Sequence, residues 1–128
     1  MDNFAFYGIL QNEFGMIKRI IDFKNIEYLG QCFIPGTLYS FGDYPGLVES
    51  HNKVSGELYQ ISDSTIVEDL DDFEEYDPTD LESSKFVRKK IKLIMPKVEA
   101  WVYLVNMSVE GKENITEGSW NTFFREMK

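Results

Sequence analysis

The run Val98-Glu99-Ala100-Trp101-Val102-Tyr103-Leu104-Val105 holds seven apolar or aromatic residues out of eight, with no polar alternation. A strand with one face in water alternates apolar and polar residues, whereas one covered on both faces reads as a nearly continuous apolar run. The segment is therefore expected in the middle of a sheet rather than at its edge. Immediately before it, Lys85 to Met95 is β-prone and meets the run at Pro96-Lys97, as the two arms of a hairpin would.

Working outward, Asn3-Phe4-Ala5-Phe6-Tyr7 reads as a buried strand that stops at Gly8, where backbone N–H groups are exposed at a turn. Residues 12–23 place Phe14, Ile17, Ile20 and Ile21 near helical spacing, with Gly15 weakening the pattern. Tyr28 to Ile34 and Thr37 to Phe41 are β-prone, divided by the turn dipeptide Pro35-Gly36. Tyr44-Pro45-Gly46 marks a further turn, His51 falls in the polar loop Glu49 to Lys53, and Lys53 to Ile61 makes another strand. Ser119 is suited to cap a short C-terminal helix carrying Trp120, Phe123 and Phe124. Five or six strands with two or three helices indicate an α+β fold: a small mixed five- to six-stranded β-barrel with a few packed helices.

The whole chain, residues 1–128, is read as one domain, a length typical of a single core. Apolar residues make up 43% of it, which argues against disorder. No apolar run approaches the roughly 20 residues of a membrane-spanning helix. Met1 to Phe6 lacks the basic and apolar regions of a secretory leader, so a cytoplasmic location is expected and Asn106-Met107-Ser108 carries little weight as a glycosylation acceptor. With 13 Lys and Arg against 22 Asp and Glu, the net charge of −9 disfavours binding to a phosphate backbone. No nucleic-acid or membrane partner is expected, and a small-molecule partner is.

Ser62 to Tyr76 contains the chemistry: Ser-Asp-Ser-Thr-Ile-Val-Glu-Asp-Leu-Asp-Asp-Phe-Glu-Glu-Tyr. Asp63 or Ser64 serves as an N-cap, and Pro78 lies beyond the end. In helical projection with Val67 at zero, Leu70 falls at ~300°, Ile66 at ~260° and Phe73 at ~240°, which together define the inward stripe. Glu74 falls at ~340°, inside it, while Glu68, Asp69, Asp72 and Glu75 point away and Asp71 sits at the margin. An inward carboxyl has its pKa raised by desolvation, as a general base or acid requires. The same position also suits a structural Glu paired with a buried Arg or Lys.

Other constellations are weaker. Cys32 and His51 are the only thiol and imidazole, but Cys32 lies in a strand-like run where a structural thiol is usual. One His and one Cys leave zinc without a ligand set, and the acidic pairs lack calcium-loop spacing; no metal is expected.

Several short motifs occur in order from about residue 4 to residue 106: Tyr7-Gly8-Ile9-Leu10, Pro35-Gly36-Thr37-Leu38-Tyr39, Tyr44-Pro45-Gly46, Val54-Ser55-Gly56-Glu57-Leu58-Tyr59, Leu70-Asp71-Asp72-Phe73-Glu74 and Phe86-Val87-Arg88. In this the chain resembles the gamma-glutamylcyclotransferase-like superfamily, and most of all its gamma-glutamylamine cyclotransferase branch. The resemblance implies a cavity with the Tyr7–Leu10 turn as floor and Glu74 as its acid. It also implies release of an amine from a gamma-glutamyl compound with closure to 5-oxoproline, which needs no cofactor. Tyr7, Gly8, Ile9, Leu10, Tyr44 and Arg88 are then candidate substrate contacts, with Glu74 as general base and acid. Two positions depart from the family pattern: Phe86 replaces a common Tyr, and Ile9 a common Ser or Thr. The alternatives are a non-catalytic module of the same fold that binds a small ligand, or a protein-docking role for the aromatic tail.

Overall fold

A computed structural model describes residues 2–8, 10–11 and 25–126, with side chains to residue 123. Ile9, the helix expected over residues 12–23 and the side chain of Phe124 lie outside the described residues. The strands are β1 (Asp2–Phe6), β2 (Ile26–Ser40), β3 (Pro45–Ile61), β4 (Phe86–Lys92), β5 (Glu99–Val105) and β6 (Glu113–Asn114). Two helices, α1 (Ser64–Phe73) and α2 (Trp120–Glu126), are also described. The strands form one mixed sheet in the order β4-β5-β1-β3-β2-β6, curled into a half-barrel. The curl brings β2 round to the chain beyond β4, where Phe33 donates to Met95 O (2.8 Å) and accepts from Ile94 N–H (2.9 Å).

β5 lies inside the sheet, antiparallel to β4 and parallel to β1, with Phe4 opposite Trp101. Its continuous apolar character follows from burial on both faces. Ala100, Val102 and Leu104 join one core with Ala5, Tyr7, Ile34 and Leu38. Tyr103 joins a second core with Phe4, Phe6, Ile66 and Leu70, with Trp101 packed against it. The two-residue period of a strand distributes neighbours between the cores: Phe4 and Phe6 to one, Ala5 and Tyr7 to the other.

Two expected breaks in the middle are corrected. Pro35-Gly36 does not reverse the chain but lies in a continuous β2, at a register shift from Pro35↔Lys53 to Thr37↔Val48. Gly36 is required because a Cβ there would sit 2.6 Å from Leu47 Cδ1. The polar stretch Glu49 to Lys53 likewise falls within β3, its extra residues opposite that bulge and tied to it by Thr37 Oγ1 and Ser50 Oγ at 2.7 Å. Bulges locally increase bending, as a curled sheet needs. The reversal itself is at Phe41–Tyr44, closed by Phe41 N–H donating to Tyr44 O (2.9 Å).

Asp63 caps α1, accepting from Thr65 N–H at 2.8 Å. Ser119 caps α2 through its hydroxyl, which accepts from Thr122 N–H at 3.3 Å. The tail aromatics Trp120 and Phe123 are buried in the first core and present no exposed patch.

Candidate active site

A cavity of about 200 Å³ opens where the end of β1, the end of α1 and the β4–β5 pair meet. Its floor is the turn after β1. Gln11 closes that turn, its backbone N–H donating to Gly8 O (3.0 Å) and its buried amide to the same carbonyl (3.2 Å) and to Asn121 Oδ1 (2.8 Å). Gly8 is demanded by packing against the second wall, since a Cβ would lie 2.8 Å from Pro45 Cγ. Leu10 is buried beside it.

Glu74 enters from the end of α1. The helix stops in a Schellman arrangement, with Glu75 N–H donating to Asp72 O (3.1 Å) and Tyr76 N–H to Asp71 O (2.9 Å). This places Glu75 at φ 54°, the left-handed region usually left to glycine. The turn carries the chain away just after Glu74, leaving that side chain on the cavity wall. The cavity gives the residue partial exposure while its carboxyl is densely surrounded by protein. Burial first, and the neighbouring Asp71 second, push the carboxyl up to about 8. The negative end of the α1 dipole acts in the same direction, and the last turn has no basic side chain. Among the described residues, none donates a hydrogen bond to this carboxyl or pairs with it.

Glu68, Asp69, Asp72 and Glu75 are all exposed, in keeping with the helical projection. Asp71, at its margin, is half-buried. It accepts from Arg88 Nε (2.9 Å), Arg88 Nη2 (3.2 Å) and Tyr103 Oη (2.6 Å).

The candidate substrate contacts divide. Tyr7, Gly8, Leu10 and Tyr44 line the cavity with Glu74. The Tyr7 hydroxyl is already engaged: it donates to Tyr103 O and accepts from Leu47 N–H (3.3 Å), and burial followed by Glu74 raises its pKa well above the ordinary value. Tyr44 stacks on Phe41 (5.5 Å) and meets Phe86 edge-on (6.0 Å), so Phe86 is cavity wall. Arg88, expected at a substrate carboxylate, does not line the cavity; Asp71 holds it behind α1.

The cavity also includes Lys85, Glu75 and Tyr103, which the sequence reading had not selected. Lys85 Nζ pairs with Glu75 Oε2 at 3.0 Å, both half-exposed at the rim. Their ten-residue separation left no local pattern to read, although a Tyr in the stretch that decides the sheet was a visible candidate for the face opposite Val102.

Cys32 is buried in β2, where burial and then Glu57 push its thiol up to about 12, and His51 is exposed on β3. A thiol so shifted is a poor nucleophile. Among the described residues no group of three or more His, Cys, Asp or Glu is placed to hold a metal ion, and no helix is long and apolar enough to cross a membrane.

Residues 4–122 match the model of the family described as gamma-glutamyl cyclotransferase, AIG2-like. The chain is 32% identical over 115 residues to the gamma-glutamylcyclotransferase family protein YtfP of Escherichia coli, covering 89% of this chain and 91% of that protein. The solution NMR structure of ytfP from Escherichia coli is similar at a TM-score of 0.64 and 29% identity, over 92% of this chain and 95% of that one. The crystal structure of an uncharacterized protein from Pyrococcus horikoshii shares the fold at a TM-score of 0.73 and 18% identity, over 99% and 96%.

Proposed function

The chain belongs to the gamma-glutamyl cyclotransferase, AIG2-like family, and from that premise we propose a cofactor-independent cyclotransferase that converts a gamma-glutamyl amine or related conjugate to 5-oxoproline and a free amine. The observation that carries the reading is Glu74: a carboxyl on the wall of an open cavity, without a partner among the described residues, and poised at about 8.

The substrate supplies its own nucleophile. Its α-amine attacks its γ-carbonyl carbon, a C–N bond forms, and the bond to the departing amine breaks. Holding both groups in one cavity exploits the high effective concentration of an intramolecular attack. Glu74 takes the proton lost by the α-amine and gives it to the departing nitrogen, so the carboxyl ends as it began. At about 8 it carries its charge in roughly one molecule in ten at pH 7, and either form of the step is within easy reach. Gly8 and Leu10 line the cavity, and their backbone N–H groups are suited to the substrate carboxylate or to the developing oxyanion. The cavity is smaller than the roughly 300–1,000 Å³ that encloses a drug-sized ligand, which suits the glutamyl half with the amine half leaving past the rim.

The test is to incubate purified protein with a panel of gamma-glutamyl compounds and quantify 5-oxoproline and free amine. Stoichiometric release from at least one member, lost in Glu74→Gln, is the expected result. If every compound stays intact but binds, the protein is a ligand-binding module; if Glu74→Gln turns over normally, the assignment of the acid is wrong.

A further inference from the structure

α1 carries two inward carboxyls three residues apart, and only one of them faces the cavity. Residues at that spacing lie side by side on a helix, about 5–6 Å apart at Cβ. The outer one, Asp71, is held at both oxygens. The guanidinium of Arg88 meets it with a two-pronged contact (2.9 and 3.2 Å), and the Tyr103 hydroxyl adds a third bond at 2.6 Å. Arg88 is itself confined, 4.5 Å over the ring of Trp101 with Tyr76 at 5.8 Å and Phe4 at 5.9 Å. Arg88 and Asp71 both line a separate surface groove and neither lines the cavity, while Asp71 stands three residues before Glu74 along the helix end.

The other groups facing Glu74 do not duplicate this. Glu75 and Lys85 neutralise each other at the rim. Tyr7 just after β1, Tyr44 from the turn between β2 and β3, and Tyr103 from β5 are neutral phenols rather than charges. Tyr103 connects the two carboxyl environments: it lines the cavity, its hydroxyl holds Asp71, and its carbonyl holds the Tyr7 hydroxyl.

We propose that Asp71 is a charge-setting positioning residue for Glu74, fixed beside it by Arg88 and Tyr103, and that Arg88 is its anchor rather than a substrate contact. The proposal rests on Glu74 being the proton carrier. A carboxylate lodged one turn away disfavours charge on Glu74 and so raises its proton affinity, which makes it a stronger base toward the α-amine proton that it then hands to the departing nitrogen.

The experiment reads the Glu74 titration twice: by carbon-detected NMR of its carboxyl in the free protein, and as the acidic limb of the pH profile of kcat/KM. Asp71→Asn, which keeps shape and removes charge, moves both midpoints down by roughly one pH unit or more. Arg88→Gln, which leaves the neighbouring carboxylate uncompensated, moves them up. Arg88→Lys retains the charge and stays near wild type, and it serves if the Gln variant does not fold. Midpoints unmoved in Asp71→Asn, or moving the same way in both variants, overturn the proposal, because a purely structural pair predicts lost stability without opposed shifts. The NMR reading needs no substrate. Absence of turnover therefore refutes the cyclotransferase reading while leaving this one to be decided.

Discussion

Two glutamates stand out against the general exposure of acids among the described residues, and they sit in opposite circumstances. Glu57 is buried in β3 among Tyr28, Cys32 and Tyr59, and the Tyr59 hydroxyl donates to its Oε1 at 2.9 Å. Glu74 is at a helix end, beside open volume, with no donor among the described residues. A carboxylate supplied with donors becomes part of the scaffold, since its desolvation is offset by hydrogen bonds. One denied donors and given space keeps a high proton affinity and can exchange that proton with a guest. Burial alone does not separate a reagent from a structural acid; the company it keeps does.

The sharpest way to break this contrast is the paired substitution Glu74→Gln and Glu57→Gln. On the role proposed for Glu74, Glu74→Gln is expected to lower kcat by about 10²–10⁴-fold. Glu57→Gln, which can still accept from Tyr59, should leave turnover close to wild type; equal losses in a 5-oxoproline assay would erase the distinction.

The next effect is on stability. The Glu74 pKa is raised on folding from 4.5 to about 8, so the native state binds its proton more tightly than the unfolded chain. The stability this confers is complete below about 4.5 and is lost as pH rises through about 8. Glu74→Gln escapes that loss, and urea titrations should find it more stable than wild type at pH 8–9 by on the order of 2–4 kcal/mol, with the difference shrinking toward pH 5. A gap independent of pH would show that the carboxyl is not strained by burial.

Gly8→Ala tests the floor against the wall. The added methyl meets Pro45 at 2.8 Å, and overpacking of this kind costs about 1–3 kcal/mol. The urea midpoint should drop and the substrate KM rise together, because the same contact shapes the cavity.

The smallest effect concerns Glu75. Its left-handed backbone costs roughly 1–2 kcal/mol, against about 0.2–1 kcal/mol from an exposed pair with Lys85. Glu75→Gly should therefore raise the thermal midpoint slightly. A fall would mean that the rim pair contributes more than exposed pairs usually do.

How much of this was legible in the chain depended on the range of the interaction. The 3.6-residue period singled out Glu74 and left Asp71 at the margin, because both facts belong to one helix. The apolar run from Val98 to Val105 likewise carried its own evidence of an interior strand. Pro35-Gly36 misled because the same dipeptide serves a turn and a bulge, and only the pairing with Lys53 and Val48 decides between them. Arg88 could be read equally as a substrate contact or as half of an ion pair, because its partner lies 17 residues away on a different element. The Tyr7 hydroxyl, held by a carbonyl 96 residues distant, was similarly out of reach of any local pattern.

That last contact also bears on how the protein is made. β1 is synthesised before its ladder partners, residues 57–61 and Trp101. Phe4 and Phe6 must stay unmated until more than fifty further residues have emerged, and pairing over so long a separation is slow. No nascent fragment ending short of Tyr103 can hold the Tyr7 strut, so the cavity should take shape only after Tyr103 has emerged, following an interval in which an aromatic strand is open to chaperones.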